Sequence, residues 1–437
     1  MKNGWDFYRD VWQPAACAVS NMEAQGLQLD IEMCRARAAE CVAKQQEIGE
    51  QLNEWAGKKI SWNSPKQKAE FFYDTMGWPV PPVCGNVRAI KRTKAGQRPT
   101  DEAAVIHLAR SAPGSTDRHL LRLYCGYPDI KAKEHELSWK QAAKLQGFYQ
   151  ALPAHAEVDG RVHTQLAALT RTGRLTSRNP NLQQIAPVVR DVFKARDGHV
   201  LIETDYASLE WRALGHIVAK RYEDFSLVNE IREGIDPHQA TAEGMTKRLG
   251  RSVTRAAAKI LNYSVNYKKT AAGLAIQLEI PESEAEALLD AFFEARPGIA
   301  QWHRDAWDYV KTRGYCRTLL GRFLPIPEVT GDRFKRQQAE RKSVSFPIQG
   351  TAADIASLAM VGCSEIFNSK LRGMGVTLLL QVHDSLLHEC PEGAVAEAKA
   401  EIEARMVHCL KGCAEFLCPL AVSMSTGKTW GECASKG

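Results

Sequence analysis

The sequence predicts an α+β fold in which one sheet is assembled from distant parts of the chain and carries helical attachments. Strand-like runs occur near residue 200 (HVLIETD, 199–205) and near residue 380 (VTLLLQV, 376–382, and LLHEC, 386–390). Helical patterns dominate the stretches 31–149 and 223–325. A chain of 437 residues is too long for one compact core, so we expect two or three subdomains.

Composition places the chain among ordinary globular proteins. Hydrophobic residues make up 44% and charged residues 25% of the sequence, which excludes disordered and fibrous classes. The formal net charge of +6 permits a nucleic-acid partner without arguing for one. The N-terminus lacks a signal-peptide region and no apolar run approaches the ~20 residues of a membrane span, so we expect a cytoplasmic protein. The twelve cysteines form no CxxC pair and are expected to be reduced.

The first helical stretch carries start and stop signals. Asp30 precedes a long amphipathic pattern at 31–57 as an N-cap, and Gly57 closes it. A second helix begins after Ser64 and ends before Gly77. The loop that follows is basic without a single acid, and is either a solvated surface or a tip that touches phosphates. Its cations are Arg88, Lys91, Arg92, Lys94 and Arg98.

Two aspartates lie at strand ends. Asp205 ends the strand HVLIETD, and Asp384 lies between VTLLLQV and LLHEC. A buried lone carboxylate is costly unless it is paired or coordinates a metal. If the strands are neighbours, the two carboxylates meet at the sheet edge, where paired acids hold two divalent ions for in-line phosphoryl displacement. The residues alone leave open that each is an ordinary turn aspartate.

The segment RSVTRAAAKILNYSVNYKKT (251–270) places two cations and two aromatic rings on one helical stripe. Arg255, Lys259, Tyr263 and Tyr267 recur every four residues. Such a stripe would bind a triphosphate and then present a ring to a base or sugar. The alternative is an amphipathic helix with solvated cations and half-buried tyrosines.

Two further segments are rich in hydrogen-bonding side chains. TRTGRLTSRNPNLQQIAP (170–187) is too polar to be core, and ERKSVSFPIQGTAADIA (340–356) has Arg341 and Gln349 near the start of a helix of small residues. Such segments are either inert or present donors to a large polar ligand. Together with the acids and the stripe, they describe a site for metals, phosphates and a nucleic acid.

Five motifs in a fixed order carry a family resemblance. They are TGRLTSRNPNLQQI, DYASLEWRALGH, RAAAKILNYSVNY, FPIQGTAADIA and QVHDSLLHE. In this order they resemble the family A DNA polymerases, the DNA polymerase I type, over roughly residues 14–432. The resemblance implies a right-hand fold with an antiparallel-sheet palm, helical fingers and a helical thumb. The implied divisions are a first palm segment (1–30), the thumb (31–149), the palm with the first aspartate (150–222), the fingers (223–329) and the palm with the second aspartate (330–437).

The resemblance also implies the function. A family A enzyme is a template-directed DNA polymerase that adds dNTPs to a primer 3′-hydroxyl by two-metal phosphoryl transfer. Asp205 and Asp384 match the catalytic aspartates that bind two Mg²⁺ ions, which Mn²⁺ can replace, and the backbone carbonyl of Tyr206 matches a further ligand. Lys259 matches a third catalytic residue.

Other residues match the substrate-binding positions of the family. Tyr263 matches the residue that packs on the deoxyribose, and Glu210 the one that closes the space of a ribose 2′-hydroxyl. The residues implied to bind the nucleotide are Arg255, Lys259, Tyr263, Tyr267, Glu210 and His238. Donors to the minor groove check the shape of a base pair without reading its sequence. The residues implied to bind the primer-template are Arg174, Gln183, Asn262, Arg341, Gln349 and His383.

One departure from the family pattern leaves alternatives open. The family usually has Glu after the second aspartate, whereas this chain has Ser385. The resulting HDS resembles the single-subunit RNA polymerases, which share the palm, so an RNA polymerase or primase is one alternative. Glu210 argues against it, because those enzymes carry a small residue there. The other alternative is a DNA-binding protein that has lost catalysis, although both aspartates are retained.

The resemblance further implies the surroundings of the reaction. The thumb-like segment begins almost at once, so we expect no proofreading exonuclease domain within these residues. The implied partners are primer-template DNA, dNTPs and an unidentified processivity or replisome partner, with no membrane. The expected location is the cytoplasm of a bacterial or phage-infected cell.

Overall fold

The chain divides into two compact units in the computed structural model. One unit comprises Met1–Leu29 and Glu157–Gly437, and the other Asp30–Ala156. The predicted basic loop at 85–99 lies outside the described residues. The structure describes residues 4–80, 105, 108, 114–125, 137–167, 170–278 and 280–434.

Helices make up most of the described secondary structure. The helices are α1 (Gly4–Phe7), α2 (Gln13–Gln25), α3 (Ile31–Ala56), α4 (Pro65–Ala69), α5 (Ser115–Cys125), α6 (Trp139–Ala151), α7 (Leu209–Tyr222), α8 (Ser226–Arg232), α9 (Pro237–Leu249), α10 (Arg255–Asn266), α11 (Ala271–Leu278), α12 (Glu282–Ala295), α13 (Pro297–Arg313), α14 (Arg333–Cys363), α15 (Ser369–Gly373), α16 (Val395–Val407) and α17 (Trp430–Ala434). The strands are β1 (Leu27–Gln28), β2 (Arg161–Val162), β3 (Gln165–Ala167), β4 (Thr176–Arg178), β5 (His199–Tyr206), β6 (Tyr315–Arg317), β7 (Phe323–Pro325), β8 (Thr377–Val382), β9 (Ser385–Pro391) and β10 (Val422–Gly427).

The unit Asp30–Ala156 is built on α3, which packs along α6. Asp30 caps α3 by accepting a hydrogen bond from the Met33 amide at 2.9 Å, and Gly57 ends it with a φ of 63°. The predicted bounds of this helix are therefore confirmed. Aromatic rings dominate the core of the unit, because small helical units need large side chains to bury enough apolar surface. They include Trp62, Phe71, Phe72, Tyr124 and Trp139.

A four-stranded antiparallel sheet lies in the larger unit, with the strand order β10-β5-β9-β8. Every residue of β9 except Pro391 is buried, and α2 and α16 pack on the sheet. The predicted strands near 200 and 380 are thus neighbours, although about 180 residues separate them along the chain. The predicted α+β fold is confirmed.

Helices α7 to α14 enclose one apolar core of the larger unit. Trp211, Phe292 and Trp302 are among its buried members. This core fixes α10 against α9 and α14. The position of α10 matters because it carries the predicted stripe of cations and tyrosines.

The helix predicted to begin near Arg341 begins earlier than expected. α14 starts at Arg333, after Asp332 caps it by accepting from the Lys335 amide at 2.9 Å, and Pro347 lies inside it. Pro347 removes one backbone donor from the interior of α14. By length and composition α14 could cross a membrane, yet most of its apolar stretch is buried inside the protein. Its apolar character is thus accounted for by the core.

Candidate active site

Asp205 and Asp384 meet at one edge of the four-stranded sheet. Asp384 lies in the two-residue turn between β8 and β9, and Asp205 pairs with Ser385 across β5 and β9. The Tyr206 amide donates to the Asp384 carbonyl at 3.3 Å, and the Tyr206 hydroxyl donates to the Met406 carbonyl at 2.7 Å. Strand pairing and these two hydrogen bonds hold both aspartates in place.

The charges of the two aspartates are not favoured by their surroundings. Asp205 is exposed on one side, yet the protein atoms packed around its carboxyl and the negative charges of Asp384 and Glu203 raise its pKa to about 6. Burial also raises the pKa of Asp384, against the opposing charge of Arg174. Asp384 Oδ1 is buried and has no hydrogen-bond partner within the part of the chain that the structure describes. A cation would offset the repulsion and give this oxygen a partner, so the residues fit a metal.

The donor set suits a hard divalent ion. Among the described residues, no group of three or more His, Cys, Asp or Glu side chains is arranged to hold a metal. Mg²⁺ commonly binds through one or two carboxylates and keeps several waters. The two aspartates are enough for a site of that kind.

A cavity of about 410 Å³ opens over the aspartates and along α10. Thr254 caps α10, so Arg255, Lys259 and Tyr263 follow one another along a helical face. Tyr267 is the C-cap, with its backbone amide bonded to the Tyr263 carbonyl. All four stripe residues line the cavity together with both aspartates.

Sequence reasoning missed Asp236, the residue before α9 that holds Arg255 of the stripe. Asp236 caps α9 by accepting from the His238 amide at 2.8 Å, and its second oxygen accepts from Arg255 Nη2 at 2.6 Å. The Asn262 amide lies 2.9 Å from His238 Nδ1, and burial lowers the pKa of His238. Asp followed by Pro was a visible sign of the cap, but nothing local indicated the ion pair.

Glu210 is held in the cavity wall by two partners. Its side chain is 9% exposed and accepts from Arg174 Nη2 at 2.6 Å and from the Tyr267 hydroxyl at 3.4 Å. Burial raises the pKa of Glu210, while Arg174 opposes the shift. The side chain of Gln349 also bonds to Tyr267. Glu210 and Tyr267, which are predicted to bind the nucleotide, thus share one hydrogen-bonded group with Arg174, which is predicted to bind the primer-template.

Two residues predicted to contact the primer-template are buried instead. Gln183 is 7% exposed and its amide donates to the Gln381 carbonyl at 2.9 Å. Asn262 is 1% exposed and donates to the Pro237 carbonyl at 3.2 Å. Buried amides need partners inside the protein, and both side chains have found them, although Asn262 also lines the cavity. By contrast, Arg341 and His383 are exposed.

A second cavity of about 410 Å³ shares Asp205 and Asp384 with the first. Its wall includes Arg190, Glu203 and Ser385. Sequence reasoning missed Glu203, although the signal was present. Residues two apart on a strand point to the same face, so Glu203 had to lie on the side of Asp205.

Comparisons with known proteins agree on one family. A sequence model described as DNA polymerase family A matches residues 31–432. The thermostable DNA polymerase I of Thermus aquaticus is 33% identical over 97% of this chain and 48% of its own length. The DNA polymerase I of Deinococcus radiodurans is 31% identical over 97% of this chain and 42% of its own. The chain therefore spans about half the length of the curated relatives it matches.

A solved structure shows the same fold. The POL domain of Pol1 from M. smegmatis, in complex with DNA primer-template and dNTP, matches with a TM-score of 0.81 and 29% identity. The match covers 97% of this chain and 70% of that one. The resemblance read from the five motifs is confirmed, and the chain belongs to DNA polymerase family A.

Proposed function

We propose that this chain is a template-directed DNA polymerase that adds dNTPs to a primer 3′-hydroxyl by metal-dependent phosphoryl transfer. The observation that carries the proposal is the cavity that Asp205 and Asp384 share with Arg255 and Lys259. Phosphoryl transfer needs carboxylates that hold divalent ions and cations that hold the triphosphate, and this cavity offers both. The M. smegmatis structure contains primer-template and dNTP, which supports the same partners here.

Asp205, Asp384 and the backbone carbonyl of Tyr206 would hold two Mg²⁺ ions, for which Mn²⁺ can substitute. When bound, such ions make the attacking hydroxyl more acidic and neutralise the leaving pyrophosphate. Asp384 Oδ1, which is buried and has no hydrogen-bond partner among the described residues, supports this assignment. The chain contributes rigidity, because strand pairing fixes both carboxylates before the substrate arrives.

Arg255, Lys259 and His238 bind the triphosphate in this proposal. Arg255 would exchange its bond to the Asp236 carboxylate for bonds to phosphate oxygens. Lys259 is assigned a catalytic role, since a cation that faces the transferring phosphate stabilises charge that develops as the bond breaks. Tyr263, which is 45% exposed, offers its ring to the sugar, and Tyr267 lies near the templating base.

Glu210 would select the sugar of the incoming nucleotide. Its carboxylate is fixed by Arg174 and Tyr267, so it cannot move aside to admit a 2′-hydroxyl without breaking those bonds. Ser385 is the feature that favours an RNA polymerase instead. The fixed glutamate is the stronger argument, because it acts directly on the sugar.

Arg174, Gln349, Arg341 and His383 are the proposed contacts to the primer-template. Minor-groove donors accept every correct pair, because the purine N3 and pyrimidine O2 acceptors are common to all of them. Gln183 and Asn262 would act indirectly, by positioning the strand β8 and His238. An unidentified processivity partner and a cytoplasmic location in a bacterial or phage-infected cell also remain proposals.

We assign the domains by the same reasoning. The thumb is placed at 31–149, close to the compact unit Asp30–Ala156. The fingers are placed at 223–329, and the palm at 1–30, 150–222 and 330–437, which include the four-stranded sheet.

Primer extension with dNTPs tests the proposal. We expect Asp205→Asn and Asp384→Asn each to lower incorporation at least about 100-fold, because each removes a charge that the transition state depends on. Primer-template affinity should change little, since neither carboxylate bonds to DNA. Glu294→Gln is the matched control, a neutralised acid that pairs with Arg248 on the protein surface. Full incorporation by both aspartate variants would contradict the assignment, and wild-type protein that binds DNA without extending it would favour a lapsed enzyme.

The same assay with rNTPs separates DNA from RNA synthesis. Wild-type protein should prefer dNTPs, and Glu210→Ala should raise the relative use of rNTPs by about tenfold or more, because it opens space for the 2′-hydroxyl. Glu210→Gln keeps the volume of the side chain and should keep most of the discrimination. A wild-type preference for rNTPs would favour the RNA polymerase alternative.

A further inference from the structure

Glu203 lies beside Asp205 and Asp384 and has no role in the reaction proposed above. It precedes Asp205 by two residues on β5, so both side chains lie on one face of the strand. The Glu203 side chain is 13% exposed and lines the second cavity with Asp205 and Asp384. Three carboxylates therefore surround one space.

The contacts of Glu203 link it to the position where the chain departs from its family. Ser385 Oγ donates to Glu203 Oε1 at 3.5 Å and to the Val382 carbonyl at 3.1 Å. Family members usually carry a glutamate where this chain has Ser385. The acid that is absent from position 385 is thus matched by Glu203 on the neighbouring strand β5, within reach of Ser385.

The charge balance around this cavity is negative. Arg190 Nη1 lies 3.4 Å from Glu203 Oε1, and its guanidinium stacks over the Trp430 ring at 4.5 Å. Arg190 is the cation among the lining residues of the second cavity, whereas Glu203, Asp205 and Asp384 are acids. Independently of this cluster, the buried Asp384 Oδ1 lacks a partner among the described residues, which indicates a ligand there.

We propose that Glu203 is the third acid of the cation site and replaces the glutamate that the family places at position 385. The inference rests on the metal-dependent function proposed above. The three carboxylates do not converge as a set of direct ligands, so Glu203 acts on water bound to the ion. Mg²⁺ keeps several waters in protein sites, and carboxylates that bond to such outer groups strengthen metal binding.

A purely structural role is the competing explanation. In that case Glu203 serves only to neutralise Arg190, whose side chain is 16% exposed. The two explanations differ in what they predict for metal affinity. Loss of the Arg190 pair alone would lower the unfolding temperature and leave the affinity for metal unchanged.

Mn²⁺ binding to the full chain, without DNA or nucleotide, distinguishes them. Free Mn²⁺ is measured by electron paramagnetic resonance during a titration of wild type, Glu203→Gln, Asp205→Asn and the control Glu294→Gln. We expect Glu203→Gln to weaken binding by about tenfold and Glu294→Gln to leave it unchanged. The exchange variant Glu203→Ser/Ser385→Glu should bind within about threefold of wild type, because it returns the acid to the family position.

Each outcome decides the proposal. Unchanged affinity in Glu203→Gln, or lost binding in the exchange variant, would overturn it. The exchange variant also decides the matter if Glu203→Gln does not fold. If Asp205→Asn weakens Mn²⁺ binding and Glu203→Gln does not, only the role of Glu203 fails. If wild type binds no Mn²⁺, or Asp205→Asn binds it as well as wild type, the metal-dependent function fails too.

Discussion

Asp205 is a residue whose ionised form the folded protein disfavours. Its pKa is raised to about 6 by the protein atoms packed around the carboxyl and by the charges of Asp384 and Glu203. In the unfolded chain an aspartate loses its proton near pH 4. The folded state therefore loses stability relative to the unfolded state as the pH rises from about 4 to about 6, and the loss persists above that range.

Neutralising Asp205 should therefore stabilise the protein in EDTA. At pH 7.5 we expect Asp205→Asn to raise the unfolding temperature by about 2 °C, a modest gain because solvent screens part of the repulsion. Near pH 4 the gain should vanish, because the wild-type carboxyl is then protonated. Thermal melts followed by circular dichroism measure this, with Glu294→Gln as the control. Equal melting temperatures at pH 7.5 would mean that the repulsion is absent.

Added Mg²⁺ should reverse the order of the two unfolding temperatures and make the wild type the more stable protein. A ligand that binds only the folded state raises its stability, and the wild type retains both aspartates for binding. Asp205→Asn should thus unfold at a higher temperature than the wild type in EDTA and at a lower temperature in Mg²⁺. Both results follow from the repulsion between the carboxylates, which a bound cation removes.

At the scale of elements, Arg322 connects the polar loop before β4 to α14. Its Nε donates to Asp354 Oδ1 on α14 at 2.8 Å, and its Nη2 donates to the Thr172 carbonyl in the loop at 2.6 Å. Gly173 lies directly beneath this contact, with a φ of 82° and room for no side chain, since a Cβ would lie 2.6 Å from Arg322 Nη2. The neighbouring Arg174 reaches Glu210 from the same loop.

Gly173→Ala should therefore impair both stability and catalysis. The left-handed backbone alone costs an alanine about 1 kcal/mol, and the clash with Arg322 displaces the loop that carries Arg174. Gly250→Ala is the matched control, because Gly250 has a φ of 65° with nothing within 4 Å of its Cβ position. Chemical denaturation should show a loss in both variants, whereas primer extension should fall only in Gly173→Ala. Equal extension by the two variants would show that the loop does not position the site.

At the scale of the whole molecule, two chain segments, Met1–Leu29 and Glu157–Gly437, form the larger unit. β1 and β2 flank Asp30–Ala156 in the sequence and pair with each other. The Leu29 amide donates to the Gly160 carbonyl at 3.0 Å. The ends of the larger unit are thus close enough for a short linker to join them.

Replacing Asp30–Ala156 with a short Gly-Ser linker should leave a folded larger unit. We expect one cooperative thermal transition and Mn²⁺ affinity within about threefold of the full chain, because the aspartates and Glu203 lie in the retained part. Primer-template affinity should fall at least about tenfold, since the proposed thumb would supply phosphate contacts. Fluorescence anisotropy with a labelled primer-template measures this. Unchanged DNA affinity would contradict the thumb assignment, and an unfolded product would contradict independent folding.

Local patterns were enough to predict much of this protein. Strands and helices follow from apolar periodicity and capping residues, which act between neighbours in sequence. Asp30 and Gly57 therefore marked the limits of α3 correctly. The positions of Asp205 and Asp384 at strand ends, and the stripe on α10, could be read in the same way. The ordered motifs then identified the family, which the comparisons confirmed.

Only the tertiary structure decided which side chains share a partner. Glu210 joins Arg174 to Tyr267, Asp236 holds Arg255, and Glu203 lies beside Ser385. Gln183 and Asn262 are buried, and each donates to a backbone carbonyl of a distant segment. These facts depend on how distant segments pack, because burial and long-range charge pairs are set by the complete fold and leave no periodic trace in the sequence.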